Sequence, residues 1–420
     1  MAREDLSGPL GRTLYCDLTQ SWSEVGGGIG TYLRHKRRHI LDHTDASHLL
    51  IVPGRRDETR VEEGGRAITE YVASPRVPGS PNYRLLLRNG RVRTLLARHD
   101  PNLIECQDSY NLPWAAVAHR RARPATALVA AYMTDFPTVY VDRPFSRWFG
   151  GAIGGAAKRL CYRYCAALYR HFDAVYALSE HGGAAKLRSL GIDPIEVVPL
   201  GVELGEFSPA KRDLRLRASL GVGDDEPLLI YAGRLDGEKR PQTVVDAFLR
   251  LPDAMRATLV LLGEGPLRES LIEQATGRRL IAPGYVADRG ELARWLASAD
   301  LYVSGMADET FGISIIEAQA SGLPVIGIGE GAMLDRVPAP LGRTGPLGDA
   351  GAMAANIIEV WNGDHRAMGA RARAHVQQFS WDEAMARLFG EVYRGARAVA
   401  SARAERPVAS AVLAGLPVPR

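Results

Sequence analysis

Short apolar runs alternate with amphipathic stretches along nearly the whole chain, and the alternation occurs twice. Apolar runs of this length, separated by helical segments, are what a parallel sheet with crossover helices needs, because its strands are buried on both faces. In the first half TLYCDL, HLLIVPG, LIECQ, ATALVAAYM, DAVYALS and IEVVPLG read as strands, with helical stretches such as RLLLRNGRVRTLLARH between them. In the second half PLLIYAGRL, ATLVLLGEG, LYVSG and LPVIGIG take that part, separated by PQTVVDAFLRL and RGELARWLASA. Between the halves lies GVELGEFSPAKRDLRLRASLGVGDDEP, polar and turn-rich, with no strand candidate before Leu228. The pattern predicts two doubly wound α/β domains in tandem, residues 1–202 and 226–380, joined by a linker at 203–225. In such sheets ligands bind outside the carboxyl ends of the strands, so two facing domains enclose a cleft. Residues 401–420, rich in Ala and Pro, are expected to form a disordered tail.

With 420 residues and 46% apolar content, the chain is long enough for two or three domains with their own cores. No run of about 18 apolar residues and no secretory leader is read, and the four cysteines lack the spacing of a zinc site or a disulfide framework. The expected location is therefore the cytoplasm. The net charge of +4 conceals an asymmetry: residues 1–200 hold 27 Lys+Arg against 20 Asp+Glu, and residues 201–420 hold 25 against 28. A basic half suits an anionic surface, though an Arg-rich composition accounts for it equally well.

The segment ETFGISIIE places Glu309 and Glu317 eight residues apart. As one helix it would separate the two backbones by roughly 12 Å, beyond the ~5–9.5 Å of glycosidase carboxylate pairs. Split into loop and helix, it holds more. Gly312 lets the backbone approach a ligand, and a helix runs from there to Gly322, with Ile313, Ile316 and Ala320 as its buried stripe. Glu309 then projects from the loop, Glu317 sits one to two turns inside, and the free N–H groups of the helix start suit an anion. A polyhydroxyl group, a phosphate and a second diol, the parts of a nucleotide sugar, fit that order. Without support from elsewhere, a solvated Glu309 and a salt-bridged Glu317 would be the preferred explanation of the segment.

Support comes from YAGRLDGEKRP, Tyr231 to Pro241, which follows the first strand of the second domain. It puts Arg234 and Lys239 at the strand's carboxyl end, where a guanidinium and an ammonium can neutralise a diphosphate. With these motifs the second half resembles glycosyltransferase family four, of the GT-B fold. The resemblance is carried by Gly233, Arg234 and Lys239 of GRLDGEK, by LLGEGPLRESL with Gly263, by the turn PGYV with Tyr285 and Val286, and by the Glu-x7-Glu segment continuing through EAQASGLPVIG. FSWDEAMARLFGEVY resembles the family's last helix, which in that fold returns toward the first domain and is placed at 381–400.

The resemblance implies two Rossmann-like domains facing each other across a cleft. It also implies a retaining hexosyltransferase that moves a sugar from a nucleotide diphosphate donor, UDP- or GDP-linked, to a hydroxyl acceptor, with no cofactor or metal required. Arg234, Lys239 and the amides near Gly312 would hold the departing diphosphate, Glu309 the sugar and Glu317 the ribose; Thr310, Phe311 and Ile313 complete the donor contacts. In the first half, SWSEVGGGIGTYL supplies a glycine loop of Gly26, Gly27, Gly28 and Gly30 that does not fit G-x-G-x-x-G. The resemblance implies that Gly27 and Gly28 lie beside the donor phosphates. In AYMTDFPTVY the family often carries a histidine where this chain has Met133, a thioether that cannot donate a hydrogen bond. Asp135 is the remaining polar candidate for the reacting centre, or a cap on the next turn.

TYLRHKRRHI packs Arg34, Lys36, Arg37 and Arg38 into one helix. PFSRWFGGAIGGAAKRLCYRYCAALYRHF interleaves Trp148, Phe149, Tyr162 and Tyr164 with Arg147, Lys158, Arg159, Arg163 and Arg170. Such mixtures suit peripheral contact with anionic membrane and a lipid or lipid-linked acceptor, and equally an ordinary covering helix with solvated arginines. A nucleotide-sugar epimerase of similar fold, or a noncatalytic nucleotide-sugar-binding protein, remain alternatives. Nucleic-acid binding is not expected, because no recognisable module accompanies the basic segments.

Overall fold

The computed structural model describes residues 12–22, 27–77 and 80–405. It contains two parallel sheets, one from each half of the chain. The first has eight strands, in the order Glu196–Val197, Ala174–Ala177, Ala127–Tyr132, Leu103–Cys106, Leu14–Leu18, Ser47–Gly54, Ala67–Ala73 and Glu58–Glu62. All neighbours are parallel except the last pair. The second has six, in the order Arg279–Gly284, Thr258–Leu262, Leu228–Ala232, Leu301–Val303, Val325–Ile328 and Gly342–Gly345, all parallel. Central strands such as Thr258–Leu262 are buried along their whole length, as strands with helices on both faces must be.

The expected linker is more ordered than its polar sequence implies. Asp213 caps a helix Leu214–Ser219 by accepting from the amides of Arg215 and Leu216. Behind it Arg217 is fully buried, donating to Asp300 and to the carbonyls of Ser298, Gly223 and Glu226. Residues 213–222 are therefore fastened to the second domain by a guanidinium whose hydrogen-bonding capacity is mostly used.

The chain then returns. Helical turns run from Trp381 to Glu405 and bring Tyr393 into the core of the first domain, where its hydroxyl donates to Glu105 Oε2 at 2.8 Å. Arg403 is held by Asp173 and by the carbonyls of Pro124 and Thr126. The tail expected from residue 401 thus begins no earlier than 406, because first-domain acceptors hold Arg403 in the helix; residues 406–420 lie outside the described residues. One buried apolar cluster runs through both domains, taking in Met133 and Leu200 from the first and Phe311, Ile315 and Phe379 from the second and its return. Among the described residues no helix is long and apolar enough to cross a membrane.

The basic helix of the first domain is corrected in part. Lys36 is fully buried, with Asp17 Oδ1 at 2.5 Å, Glu105 Oε1 at 3.0 Å and the Tyr393 hydroxyl at 2.9 Å. Arg37 donates to His48, Thr69 and the Ile68 carbonyl. Neither can meet an anionic surface, since each is committed to partners inside the domain. Tyr162 and Tyr164 also turn inward, to Asp135 and to the Tyr110 carbonyl.

Candidate active site

The strands of the second sheet end at a row of glycines that let three loops approach one another. Gly233 N donates to the Leu262 carbonyl at 3.0 Å, and Gly263 N donates to the Gly284 carbonyl at 2.9 Å. Gly263 has φ +155°, and a Cβ there would stand 1.9 Å from the Gly233 oxygen, so only glycine fits. Just beyond, Asp236 Oδ1 accepts from the amides of Glu238 and Lys239, folding GRLDGEK into a tight turn. Its Arg234 is embraced by Asp236 and Glu238.

The Lys239 ammonium reaches 3.0 Å from Glu309 Oε2, at the end of the neighbouring strand. Burial on its own would raise the Glu309 carboxyl, but Lys239 and the backbone amides of Gly312 and Phe311 outweigh it and hold the group below its ordinary value. Burial would likewise lower the Lys239 ammonium, and Glu309 and Glu238 raise it instead. The amides at the start of the helix Ile313–Ala320, expected to receive a phosphate, here receive Glu309. An ammonium and two N–H groups converging on one carboxylate form a ready anion site.

Gly312 carries φ +86° at the helix N-cap, and a Cβ would lie 2.5 Å from Ile315 Cδ1. Inside the helix Glu317 is 3% exposed and paired with Arg289, Nη2 to Oε1 at 2.7 Å. Burial pushes its carboxyl up and Arg289 only partly offsets this. Arg289 in turn lies 4.6 Å over the Phe207 ring and was not anticipated; the visible signal was Asp288, which caps its helix. Of the expected buried stripe, Ile316 and Ala320 are buried but Ile313 is only half so, because it leans across the cleft to Gly28. A Cβ on Gly28 would come 3.2 Å from Ile313 Cδ1, while Gly27, with φ +112°, faces the Tyr83 hydroxyl. Gly26 lies outside the described residues. Tyr285 is exposed and Val286 partly buried beside Gly284.

Three expected contacts are reassigned. Phe311 is buried, with the Arg336 guanidinium 4.3 Å over its ring, so its side chain packs the core and only its amide faces the anion site. The Thr310 hydroxyl donates across the cleft to the Met133 carbonyl at 2.7 Å, which joins the domains rather than presenting a group to a sugar. Asp135 is turned away from the cleft set. Its oxygens are taken by Lys186, Tyr132 and Tyr162, all of the first domain, and the carboxyl stays low despite its burial because Lys186 neutralises it.

Residues 26–206 match the family model described as Glycosyltransferase Family 4, and residues 213–375 match that described as Glycosyl transferases group 1. A GDP-mannose-dependent alpha-(1-6)-phosphatidylinositol dimannoside mannosyltransferase of Mycobacterium tuberculosis is 30% identical over 355 residues, 84% of this chain and 88% of that protein. The chain belongs to glycosyltransferase family 4. This glycosyltransferase is also similar to a sulfoquinovosyl transferase of Arabidopsis thaliana, 25% identical over 81% of this chain and 68% of that one. Its fold matches sucrose-phosphate synthase from Thermosynechococcus elongatus, with a TM-score of 0.72 at 20% identity, covering 91% of this chain and 98% of that one. The two-domain GT-B architecture and an activity of transferring a sugar from a nucleotide-sugar donor follow from this membership.

Proposed function

We propose that the glycosyltransferase binds its donor across the anion site built from Lys239, Arg234 and the amides of Phe311 and Gly312, and transfers the sugar to a hydroxyl of a lipid or lipid-linked acceptor. The observation that carries the donor half is the convergence of Lys239 and the amides of Phe311 and Gly312 on the Glu309 carboxylate, which supports this reading because the same groups suit a diphosphate. A phosphate arriving there would displace Glu309 toward the sugar hydroxyls. Arg234 and Lys239 would offset the charge that grows on the leaving diphosphate, and Glu317 would take the ribose diol from Arg289. No step in this scheme calls on a metal or cofactor.

The acceptor half rests on a surface. Phe145, Trp148, Phe149, Ile153 and Leu160, on the helices Arg143–Phe149 and Gly151–Tyr169, are exposed, Trp148 to 76% and Leu160 to 68%. Large apolar side chains gathered in water mark an interaction site, and exposed Arg159, Arg163 and Arg170 on the same segment suit an anionic lipid surface. The phosphatidylinositol dimannoside in the mycobacterial relative's name is such an acceptor.

A thermal-shift screen with UDP, GDP, ADP and their sugars tests the donor half, because a ligand that binds only the folded state raises its melting point. At least one nucleotide should shift the protein, and no shift with any would remove the assignment. Flotation with anionic vesicles tests the membrane half, which fails if the protein ignores them.

A further inference from the structure

The turn at 233–239 is held firmly where it leaves the strand Leu228–Ala232. The Tyr231 hydroxyl donates to the Arg234 carbonyl at 2.8 Å, the Leu235 amide to the Glu264 carbonyl at 2.9 Å, and the Leu267 amide to the Leu235 carbonyl at 3.0 Å. A Cβ on Gly265 would stand 2.3 Å from that Leu235 oxygen, so the chain packs closely behind the turn. The backbone of Arg234 is thus fixed, while its guanidinium reaches out half exposed. Two carboxylates of the same turn decide where it points.

They differ in how they are themselves anchored. Asp236 Oδ1 accepts from the amides of Glu238 and Lys239, both at 3.1 Å, and Oδ2 accepts from Arg234 Nη1. One carboxylate therefore ties the guanidinium to the backbone that carries Lys239, and it cannot swing away from Arg234 without giving up two amide bonds. Glu238 is placed otherwise. Its Oε2 accepts from Arg234 Nη2 at 2.6 Å, and among the described residues that guanidinium is the one hydrogen-bonding partner of its carboxylate. An ion pair of this kind, with one member half exposed, is weak and exchanges readily. Lys239 meanwhile is paired with Glu309, so two cations face three carboxylates in direct contact, a local charge of −1. A diphosphate is repelled by that charge unless a carboxylate gives way, and at Arg234 the one that can do so by giving up a single partner is Glu238.

We infer that the two carboxylates divide the work on Arg234: Asp236 is a positioning residue that aims Arg234 and Lys239 at the diphosphate, and Glu238 is an exchangeable counter-charge that yields Arg234 to it and takes Arg234 back as the nucleoside diphosphate leaves. The inference rests on the donor reading above and adds to it a limit on affinity, set by Glu238, that favours release of the charged product.

Calorimetry with UDP and UMP, GDP and GMP, and ADP and AMP tests it, because the members of each pair differ only in the terminal phosphate. Wild type should prefer the diphosphate in at least one pair. For that pair Glu238→Gln should bind the diphosphate about threefold more tightly, the size of an exposed ion pair, and Asp236→Ala at least about tenfold more weakly. Asp236→Asn, which keeps an oxygen for the two amides, should fall between Asp236→Ala and wild type. Monophosphate affinity should stay within about twofold of wild type throughout. Glu238→Gln and Asp236→Ala each remove one negative charge beside Arg234, so charge alone would tighten diphosphate binding in both, and a merely structural part would weaken it in both. Effects of the same sign overturn the inference, as does an unchanged diphosphate affinity in either variant. A parallel loss of monophosphate affinity in Asp236→Ala would mark a general collapse of the site and overturn it too. If wild type prefers no diphosphate to its monophosphate, it is the donor reading that fails.

Discussion

Lys239 Nζ and Glu309 Oε2 stand 3.0 Å apart, so a cation from one strand end and a carboxylate from the next meet as an ion pair. Each keeps the other charged against the pull of burial. The Glu309 carboxyl is depressed, so its stabilising contribution is present above the ordinary carboxylate range and is lost as pH falls through the depressed value. Lys239→Ala removes the counter-charge to the leaving diphosphate, and turnover should drop by at least about tenfold. It also leaves burial as the main influence on Glu309, so the acid limb of the rate profile should move to higher pH. Steady-state kinetics across pH would show both changes, and unchanged kinetics would refute the role of Lys239.

The Glu317 carboxyl is shifted the opposite way. Because its folded value is raised, its linked stability is fully present below the ordinary carboxylate range and is lost as pH rises through the raised value. Glu317→Gln removes that cost, so the melting point of the variant relative to wild type should be higher at neutral pH than near the ordinary carboxylate range. The same change deletes the proposed ribose acceptor, and calorimetry should find nucleotide affinity reduced by about tenfold, or ~1.4 kcal/mol. Equal affinity would remove the assignment.

What the sequence revealed and what it hid divide along a physical line. Leu228–Ala232 and Thr258–Leu262 were legible because a strand buried on both faces has to be apolar throughout. Glu58–Glu62 and Gly342–Gly345 were not, since ETRVE lies mostly exposed at a sheet edge and GRTG carries no apolar signal. The return helix was legible from its motif, but its hold on Lys36 through Tyr393 was not. A lysine in a run of arginines looks like a surface charge until its helix is seen to press against the buried Asp17 and Glu105. Glu309 and Glu317 were singled out by dividing their segment into loop and helix and by the GRLDGEK turn beside it, not by their spacing. Arg289, the partner of Glu317, was missed because an ion pair spanning 28 residues leaves no local pattern. Asp135 stood in the right segment, yet Lys186, 51 residues away, turns it inward.

Lys36 supplies the next test. Its ammonium is the cation that lies between two fully buried carboxylates, Asp17 and Glu105. Lys36→Met fills the space but leaves those charges uncompensated, and breaking a buried pair in this way costs about 3–5 kcal/mol. Chemical denaturation should show a loss of that size. Arg38→Ala, on the exposed side of the same helix, should change stability by no more than about 0.5 kcal/mol. Equal, small effects of the two would mean that Lys36 is not the buried counter-charge.

Gly182 controls how closely the domains approach. A Cβ there would lie 2.4 Å from Ser179 Oγ, 2.7 Å from the Thr310 carbonyl and 2.9 Å from that of Glu309, the last two belonging to the opposite domain. Its backbone is not in the left-handed region, so alanine adds no backbone strain; the Ser179 hydroxyl must swing aside within the first domain, and the rest of the clash falls on the backbone of the opposite domain. Gly182→Ala should therefore fold and melt cooperatively while pushing the loop of Glu309 and Thr310 away. That displacement breaks the Thr310 contacts to Ser179 and Met133 and carries Glu309 off the first domain. Misplacing reacting groups by about 1 Å costs on the order of a hundredfold, so kcat/KM should fall by one to two orders of magnitude, roughly, with nucleotide affinity little changed. Small-angle scattering should show a larger radius of gyration than for wild type. Gly155→Ala, where a methyl group meets open space, is the control that should leave both unchanged. Wild-type scattering and wild-type activity in Gly182→Ala would show that closure does not depend on this contact.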